Sequence, residues 1–153
     1  MKKFEFLEDI ATADVAFEAY GKDLKELFEN SALALFEAMV DTKQVRPISN
    51  FQFPISNPTL DGLLFDFLNE LVFLKDEKGM VFSKFKLRIE KLQAASLRPE
   101  LGPRVYKLQA QIWGEEINPQ KHRLKADVKA VTLHQFRVRR TKEGYRARIV
   151  LDV

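Results

Sequence analysis

Two segments of the chain repeat their apolar residues at the spacing of an α-helix. The first follows Asp23, an acidic N-terminal cap, and runs to about Val40. The second is predicted to have Asn57 as its cap and Pro58 at its first helical position, and to end at Gly79. The apolar stripes are Leu24, Leu27, Phe28, Leu35 and Met39 in the first helix, and Leu60, Leu63, Leu64, Phe67, Leu68, Leu71 and Leu74 in the second.

Most of the remaining chain alternates apolar and polar residues with a period of two, which is typical of β-strands that have one buried face. The alternating segments are residues 15–19, 51–55, 85–89, 106–112, 128–138 and 145–153. A turn from Thr141 to Gly144 separates the last two. The pattern predicts residues 128–138 as one continuous strand.

Long strands follow one another directly from about residue 80, so we expect antiparallel pairing. The pattern predicts an α+β fold, a two-layer sandwich with two main helices packed on one face of a mixed, largely antiparallel sheet. Residues 93–104, which contain Pro99, Gly102 and Pro103, are predicted to form a loop. With 153 residues and no internal repeat, residues 1–153 are expected to form a single domain.

The composition of the chain argues against several classes of protein. The chain has no cysteine, which excludes a disulfide framework, and its two histidines argue against a histidine-based zinc site. No apolar run approaches the roughly 20 residues that span a bilayer, and acids interrupt the N-terminal segment where a signal peptide would have its apolar core. We therefore expect a cytoplasmic protein with no membrane partner.

Charge is distributed unevenly along the chain. Residues 1–77 carry 15 acids and 7 bases, a net charge of −8, whereas residues 78–153 carry 7 acids and 18 bases, a net charge of +11. Such asymmetry favours a charged partner surface, on a nucleic acid or on an enzyme that processes one. Solvated strand faces are the alternative explanation.

The common catalytic motifs are missing from the sequence. It contains no glycine-rich phosphate loop, no nucleophile elbow and no HExxH helix. Their absence favours a protein that is not an enzyme, although catalytic groups can also be dispersed along a chain.

Two acidic positions stand out, one near each end of the chain. Asp14 opens an apolar alternating strand, where a short acid often caps or turns the chain. Asp152 and the carboxylate of Val153 would stand side by side in the last strand. A hard cation such as Ca²⁺ or Mg²⁺ would relieve their repulsion, and solvent screening is the alternative.

Five short runs resemble the archease family in order and spacing. They are Thr12-Ala13-Asp14, Ala19-Tyr20-Gly21, Leu68-Asn69-Glu70, Lys129-Ala130-Val131-Thr132-Leu133-His134 and Leu151-Asp152-Val153. The resemblance extends over nearly the whole chain. It implies an α+β accessory protein that is not itself a ligase but activates the RtcB-type tRNA-splicing ligase, promoting its guanylylation and multiple turnover. The family is also described as a chaperone-like modulator of nucleic-acid-processing proteins.

The resemblance also implies a divalent metal site. The family's ligands match Asp14, Asp152 and Val153 here, with Ca²⁺ expected and Mg²⁺ as the alternative. The family motif usually reads His-Thr-Ala-Asp, whereas this chain has Ala11 before Thr12. The histidine is therefore absent, and the aspartate is retained.

Other residues within or near these runs are candidates for partner contacts or for support of the metal site. Asp66 and Glu70 lie four apart on the second helix and share one face, where they extend the acidic site or form a solvated stripe. His134 is expected to be hydrogen-bonded and partly buried on the strand at residues 128–138. Lys129, on the opposite face of that strand, could meet a phosphate or an acidic group.

A basic ladder near the C-terminus is the best candidate for direct tRNA contact. Alternation places Arg137 and Arg139 on one strand face, and Arg146 and Arg148 on one face of the neighbouring strand. Few aromatic residues accompany them, which argues against a platform for single-stranded RNA. A solvated or ligase-facing surface is the alternative. A general RNA-binding module and a chaperone-like protein are therefore the rival functions.

Overall fold

The computed structural model describes residues 2–8, 14–92 and 105–153, which form two α-helices, one short 3₁₀ helix and eight β-strands. In chain order the elements are β1 (Phe4–Leu7), β2 (Asp14–Gly21), α1 (Leu24–Met39), the 3₁₀ helix (Thr42–Gln44), β3 (Ser49–Asn57), α2 (Leu60–Lys78), β4 (Met80–Leu92), β5 (Val105–Glu116), β6 (Ala130–Val131), β7 (Arg137–Thr141) and β8 (Gly144–Asp152). The loop predicted at residues 93–104 and the motif residues 12–13 lie outside the described residues.

The strands form two sheets. The larger sheet has the order β1-β2-β8-β6, with β7 also paired to β8, and the smaller has the order β3-β5-β4. Every strand pair among the described residues is antiparallel. The predicted α+β class, with two helices packed against antiparallel strands, is confirmed. The strands are nevertheless divided between two sheets, rather than joined in one mixed sheet, because β3 pairs with β5 while the strands near the two chain ends pair with each other.

Helix α1 is buried around most of its circumference and connects the two sheets. Its predicted cap is confirmed, since the Glu26 N–H donates to Asp23 Oδ1 at 2.8 Å. Fully buried Phe36 meets the Phe82 ring edge-on, with centroids 5.5 Å apart, and stacks on Phe85 at 5.9 Å. These aromatic contacts join α1 to β4.

Helix α2 begins and ends with different kinds of cap. The predicted cap at Asn57 is wrong, because the Gly62 N–H donates to Thr59 Oγ1 at 3.0 Å. The Asn57 Oδ1 instead accepts from the Thr59 N–H at 3.0 Å, so the asparagine turns the chain before the helix. Pro58 therefore precedes the helix rather than opening it. The predicted end at Gly79 is confirmed by its left-handed conformation, with φ 61°.

The segment 128–138 is not one strand. It forms β6 and β7, separated by a turn in which the Phe136 N–H donates to the Leu133 carbonyl at 3.1 Å. Gln135 takes a left-handed conformation with φ 53°, which bends the chain out of the ladder. His134 is therefore exposed in the turn, and its predicted partly buried position on a strand face is wrong.

Both edge strands of the smaller sheet have irregular features. Pro54 lies in the middle of β3, opposite Gln109 of β5. A proline is tolerated at an edge because the missing N–H needs no further strand. On the other edge, the register of β4 shifts between Phe82 and Lys84.

Glu115, near the end of β5, is the centre of a network that fixes the chain after this strand. Its carboxylate accepts from the Arg46 N–H at 2.6 Å and from Lys121 Nζ at 2.7 Å. The buried His122 ring accepts from the Asn118 N–H at Nδ1, so its Nε2 carries the proton toward Glu115, at 3.0 Å. Burial by itself raises the pKa of Glu115, but the Arg46 N–H, Lys121 and His122 together lower it to about 2.

Replacing Glu115 with glutamine should lower the free energy of unfolding by about 2 kcal/mol at pH 7, because charge-assisted hydrogen bonds are lost. The folded pKa lies below the ordinary value of 4.5. This stabilisation is therefore present above about pH 4.5 and lost as the pH falls toward 2. Urea denaturation of wild type and Glu115→Gln across this range measures it, with exposed Glu116→Gln as control. A difference between wild type and Glu115→Gln that does not shrink with falling pH would contradict this account.

Candidate functional site

The outer face of the larger sheet carries the charged residues of the candidate site. Along β2 and β8, alternate residues such as Phe17 and Ile149 enter the core. The charged residues of these strands lie on the opposite face, where Ala16 and Val150 between them are buried. The register pairs Asp14 with Asp152 and Glu18 with Arg148. Four residues along a strand span about 13 Å, so an acidic end and a basic middle share this face.

The acidic end consists of two exposed carboxylates placed directly opposite each other. Asp14 and Asp152 are register partners, so their Cβ atoms lie about 5 Å apart on one face. Two like charges in this arrangement repel, and their oxygens suit a hard divalent cation. The Val153 side chain is half-buried against the core, which restrains the residue that follows Asp152. The structure thus brings together two of the residues predicted as metal ligands, Asp14 and Asp152, with Val153 next in the chain.

Strand β6 borders this acidic pair on the other side of β8. Ala130 is the register partner of Asp152, and the Lys129 N–H donates to the Asp152 carbonyl at 2.8 Å. Asn69 of α2 supports β6, since its Oδ1 accepts from the Val131 N–H at 3.0 Å. In the sequence, Asn69 lies in the run Leu68-Asn69-Glu70, and no role was predicted for it. The feature of the sequence that could have indicated this role is an amide side chain beside the apolar stripe of the second helix.

The other predicted acids lie elsewhere. Asp66 and Glu70 line a shallow groove of about 540 Å³ between α2 and β3, together with Phe73, which is 55% exposed. Asp66 Oδ2 accepts from Asn57 Nδ2 at 2.9 Å. Across residues 2–8, 14–92 and 105–153, no three His, Asp or Glu side chains gather as a metal cluster. Asp66 and Glu70 therefore do not combine with the acidic pair into a larger cluster.

The basic middle of the face is a pocket of about 380 Å³, which we call the arginine pocket. Its lining residues are Glu18, Gln135, Phe136, Arg137, Arg139, Arg146 and Arg148. The register pairs Arg137 with Arg148 and Arg139 with Arg146. The two arginine pairs that alternation predicted on separate strands therefore share one face, where they are cross-strand neighbours.

Glu18, the acid in the arginine pocket, is held by a tyrosine. The Tyr20 hydroxyl lies 3.2 Å from Glu18 Oε2 and 3.2 Å from Glu5 Oε1. Burial, together with these two carboxylates, raises the pKa of Tyr20. The phenol therefore stays protonated and remains a hydrogen-bond donor to the acids.

The site and the fold together define a small α+β protein whose candidate site is an open charged face rather than an enclosed cleft. Neither helix of the described ranges has the length and apolar character needed to cross a bilayer. Residues 4–153 match the model of the Archease protein family (MTH1598/TM1083). The chain belongs to the archease family.

Relatives agree with this assignment over nearly their full length. The protein archease of Methanosarcina acetivorans is 39% identical over 152 residues, which cover 99% of this chain and 97% of that one. The protein archease of Methanothermobacter thermautotrophicus is 38% identical, with full coverage of both chains. The names of these relatives describe a protein family and not a catalysed reaction.

Two solved structures share the fold. The solution structure of Methanobacterium thermoautotrophicum protein 1598 matches with a TM-score of 0.78 and 35% identity, and covers both chains completely. A crystal structure from Thermotoga maritima, described as that of an archease and possible chaperone, matches with a TM-score of 0.51 and 20% identity over 97% of this chain and 98% of its own. The second likeness supports the fold alone.

Proposed function

We propose that this protein is a non-enzymatic activator of the RtcB-type RNA ligase and that it holds a divalent cation at Asp14, Asp152 and the carboxylate of Val153. The observation that carries the proposal is the pairing of Asp14 with Asp152 in the β2–β8 register. The ligase is the partner that the archease resemblance implies. We propose Ca²⁺ as the cation, with Mg²⁺ as the alternative.

The chemistry of the donor set fits such a cation. Both aspartates are exposed, so they can keep some of the cation's water ligands while neutralising its charge. When bound, the cation would supply a hard positive centre where β2 begins and β8 ends. The protein's own residues would position these strand ends against the ligase and would favour guanylylation and repeated turnover there, while all bond chemistry stays with the ligase.

Multiple-turnover ligation with GTP tests the proposal. Catalytic amounts of this protein should accelerate the cognate ligase, because each molecule would act on many ligase molecules, and the protein alone should ligate nothing. Asp14→Asn, which removes one charge at nearly constant volume, should reduce the acceleration. Turnover that is unchanged even at equimolar protein would refute the proposal.

A general RNA-binding module is the second candidate, and the cluster of arginines on β7 and β8 is the observation that favours it. This function predicts tight binding to naked tRNA without the ligase, and a steep loss of affinity as salt rises. The activator proposal predicts weak binding to naked tRNA at physiological salt. A chaperone-like role would instead suppress the aggregation of unrelated proteins.

A further inference from the structure

The arginine pocket has more positive charge than its surroundings balance. Among the described residues, none of its four arginines has a carboxylate oxygen within 4.0 Å. Glu18 is the register partner of Arg148, yet its carboxylate meets the Tyr20 hydroxyl. Guanidinium groups stay charged at every ordinary pH, so the described residues that line the pocket set four like charges against one acid.

One arginine also lacks a hydrogen-bond acceptor. Arg148 Nε is buried and has no partner in the described structure. A buried donor without an acceptor costs free energy, and an anion that enters the pocket lined by Arg148 would supply an acceptor. Arg148 is half-buried, whereas Arg146, Arg137 and Arg139 are exposed around it.

These observations together indicate that the arginine pocket suits an anionic ligand. Arginine presents a planar fork of N–H donors that matches the oxygens of phosphate, and an anion between the cross-strand pairs would relieve their repulsion. A volume of about 380 Å³ suits one small ligand. Phe136 is the aromatic residue in the lining, so the pocket offers a single ring beside the guanidinium groups rather than a stacking platform.

We propose that the arginine pocket binds the phosphate of one nucleotide unit, either as a free nucleotide or at the phosphorylated end of an RNA. This inference goes beyond ligase activation and does not depend on it. Under this proposal, one face of the larger sheet carries two separate sites. The pair Asp14 and Asp152 would take a cation, and the pocket around Arg148, about 13 Å away along β8, would take an anion.

Titration of the full-length protein with adenosine monophosphate, followed by NMR, tests the pocket. Arg148 Nε–H should shift on binding, because it gains an acceptor, while adenosine at the same concentration should leave it unmoved. Arg146→Gln combined with Arg148→Gln should weaken binding at least about tenfold. Arg140→Gln should retain affinity, since Arg140 lies over the Tyr145 ring and does not line the arginine pocket.

A matched pair of RNA oligonucleotides, with and without a 5′-phosphate, distinguishes the two sources of the phosphate. Stronger binding of the phosphorylated oligonucleotide than of adenosine monophosphate identifies an RNA end. Stronger binding of adenosine monophosphate than of either oligonucleotide identifies a free nucleotide. The proposal is overturned if neither phosphate probe binds at physiological salt. It is also overturned if both oligonucleotides bind equally and at least as tightly as adenosine monophosphate, or if Arg140→Gln weakens binding as much as the double variant does.

Discussion

Removing either member of the Asp14–Asp152 pair should lower the affinity for Ca²⁺ by roughly 30-fold. A unit charge about 4 Å from a divalent ion in a water-like dielectric contributes about 2 kcal/mol, which corresponds to that factor. Asp14→Ala and Asp152→Ala should behave alike, because the two residues are register partners. Adding one glycine after Val153 moves the terminal carboxylate by about 3.5 Å and should also weaken binding.

Calorimetric titration with Ca²⁺ and Mg²⁺, beside circular dichroism, measures these effects. Glu18→Gln is a matched control, since Glu18 lies on the same strand and face about 13 Å from Asp14. Exposed Glu8→Ala should likewise have little effect. Full affinity in the glycine-extended chain would exclude the terminal carboxylate as a ligand. Equal losses of Ca²⁺ affinity in Asp14→Ala and Glu18→Gln would indicate a general effect of negative charge rather than a specific metal site.

Phe36→Ala should lower the free energy of unfolding by about 3–5 kcal/mol. The Phe36 ring is fully buried and contacts both Phe82 and Phe85, so its removal leaves a cavity between α1 and β4. Urea denaturation measures the loss. The folded fraction should keep its Ca²⁺ affinity, because these aromatic contacts belong to the core and to β4 rather than to the outer face of the β2–β8 pair.

Phe73→Ala is the control for this prediction. Phe73 is 55% exposed on α2, so the same truncation there should cost less than about 1 kcal/mol. If both variants lost the same free energy, the aromatic contacts at Phe36 would not be what joins the helix to the smaller sheet.

Features fixed by neighbouring residues were predictable from the sequence. Asp23 caps α1 and Gly79 ends α2 because each acts within one turn of its own helix. The cap of α2 was missed because Asn57 and Thr59 both offer a suitable oxygen two residues apart. The position of the helix start, and not the residue type, decides between them.

Pairing between distant strands was not predictable in the same way. A period of two assigns a residue to a face but does not name the partner strand or the register. The pattern therefore indicated that Asp14 and Asp152 face outward from their strands, while their direct opposition depends on β2 meeting β8 antiparallel. The arginine pocket has the same origin, since it needs β7 and β8 to bring two alternating pairs to one face.

The turn at residues 133–136 was missed for a local reason. Gln135 adopts φ 53° without a glycine, asparagine or proline to mark it, so the period of two continues through the turn unbroken. This turn carries Gln135 and Phe136 to the rim of the arginine pocket. Its effect on the site could therefore be found only from the three-dimensional structure.

Pro54 has a consequence for how copies of this protein behave toward one another. An exposed strand edge with a full row of free N–H groups can template the addition of a strand from another molecule, which is the first step of aggregation. Pro54 interrupts that row in the middle of β3, and the other edge, β4, has a shifted register and the charged side chains of Lys84, Lys86 and Arg88. The smaller sheet therefore resists lateral growth at both of its edges. A substitution that restored the N–H at position 54 would remove one of these barriers to aggregation.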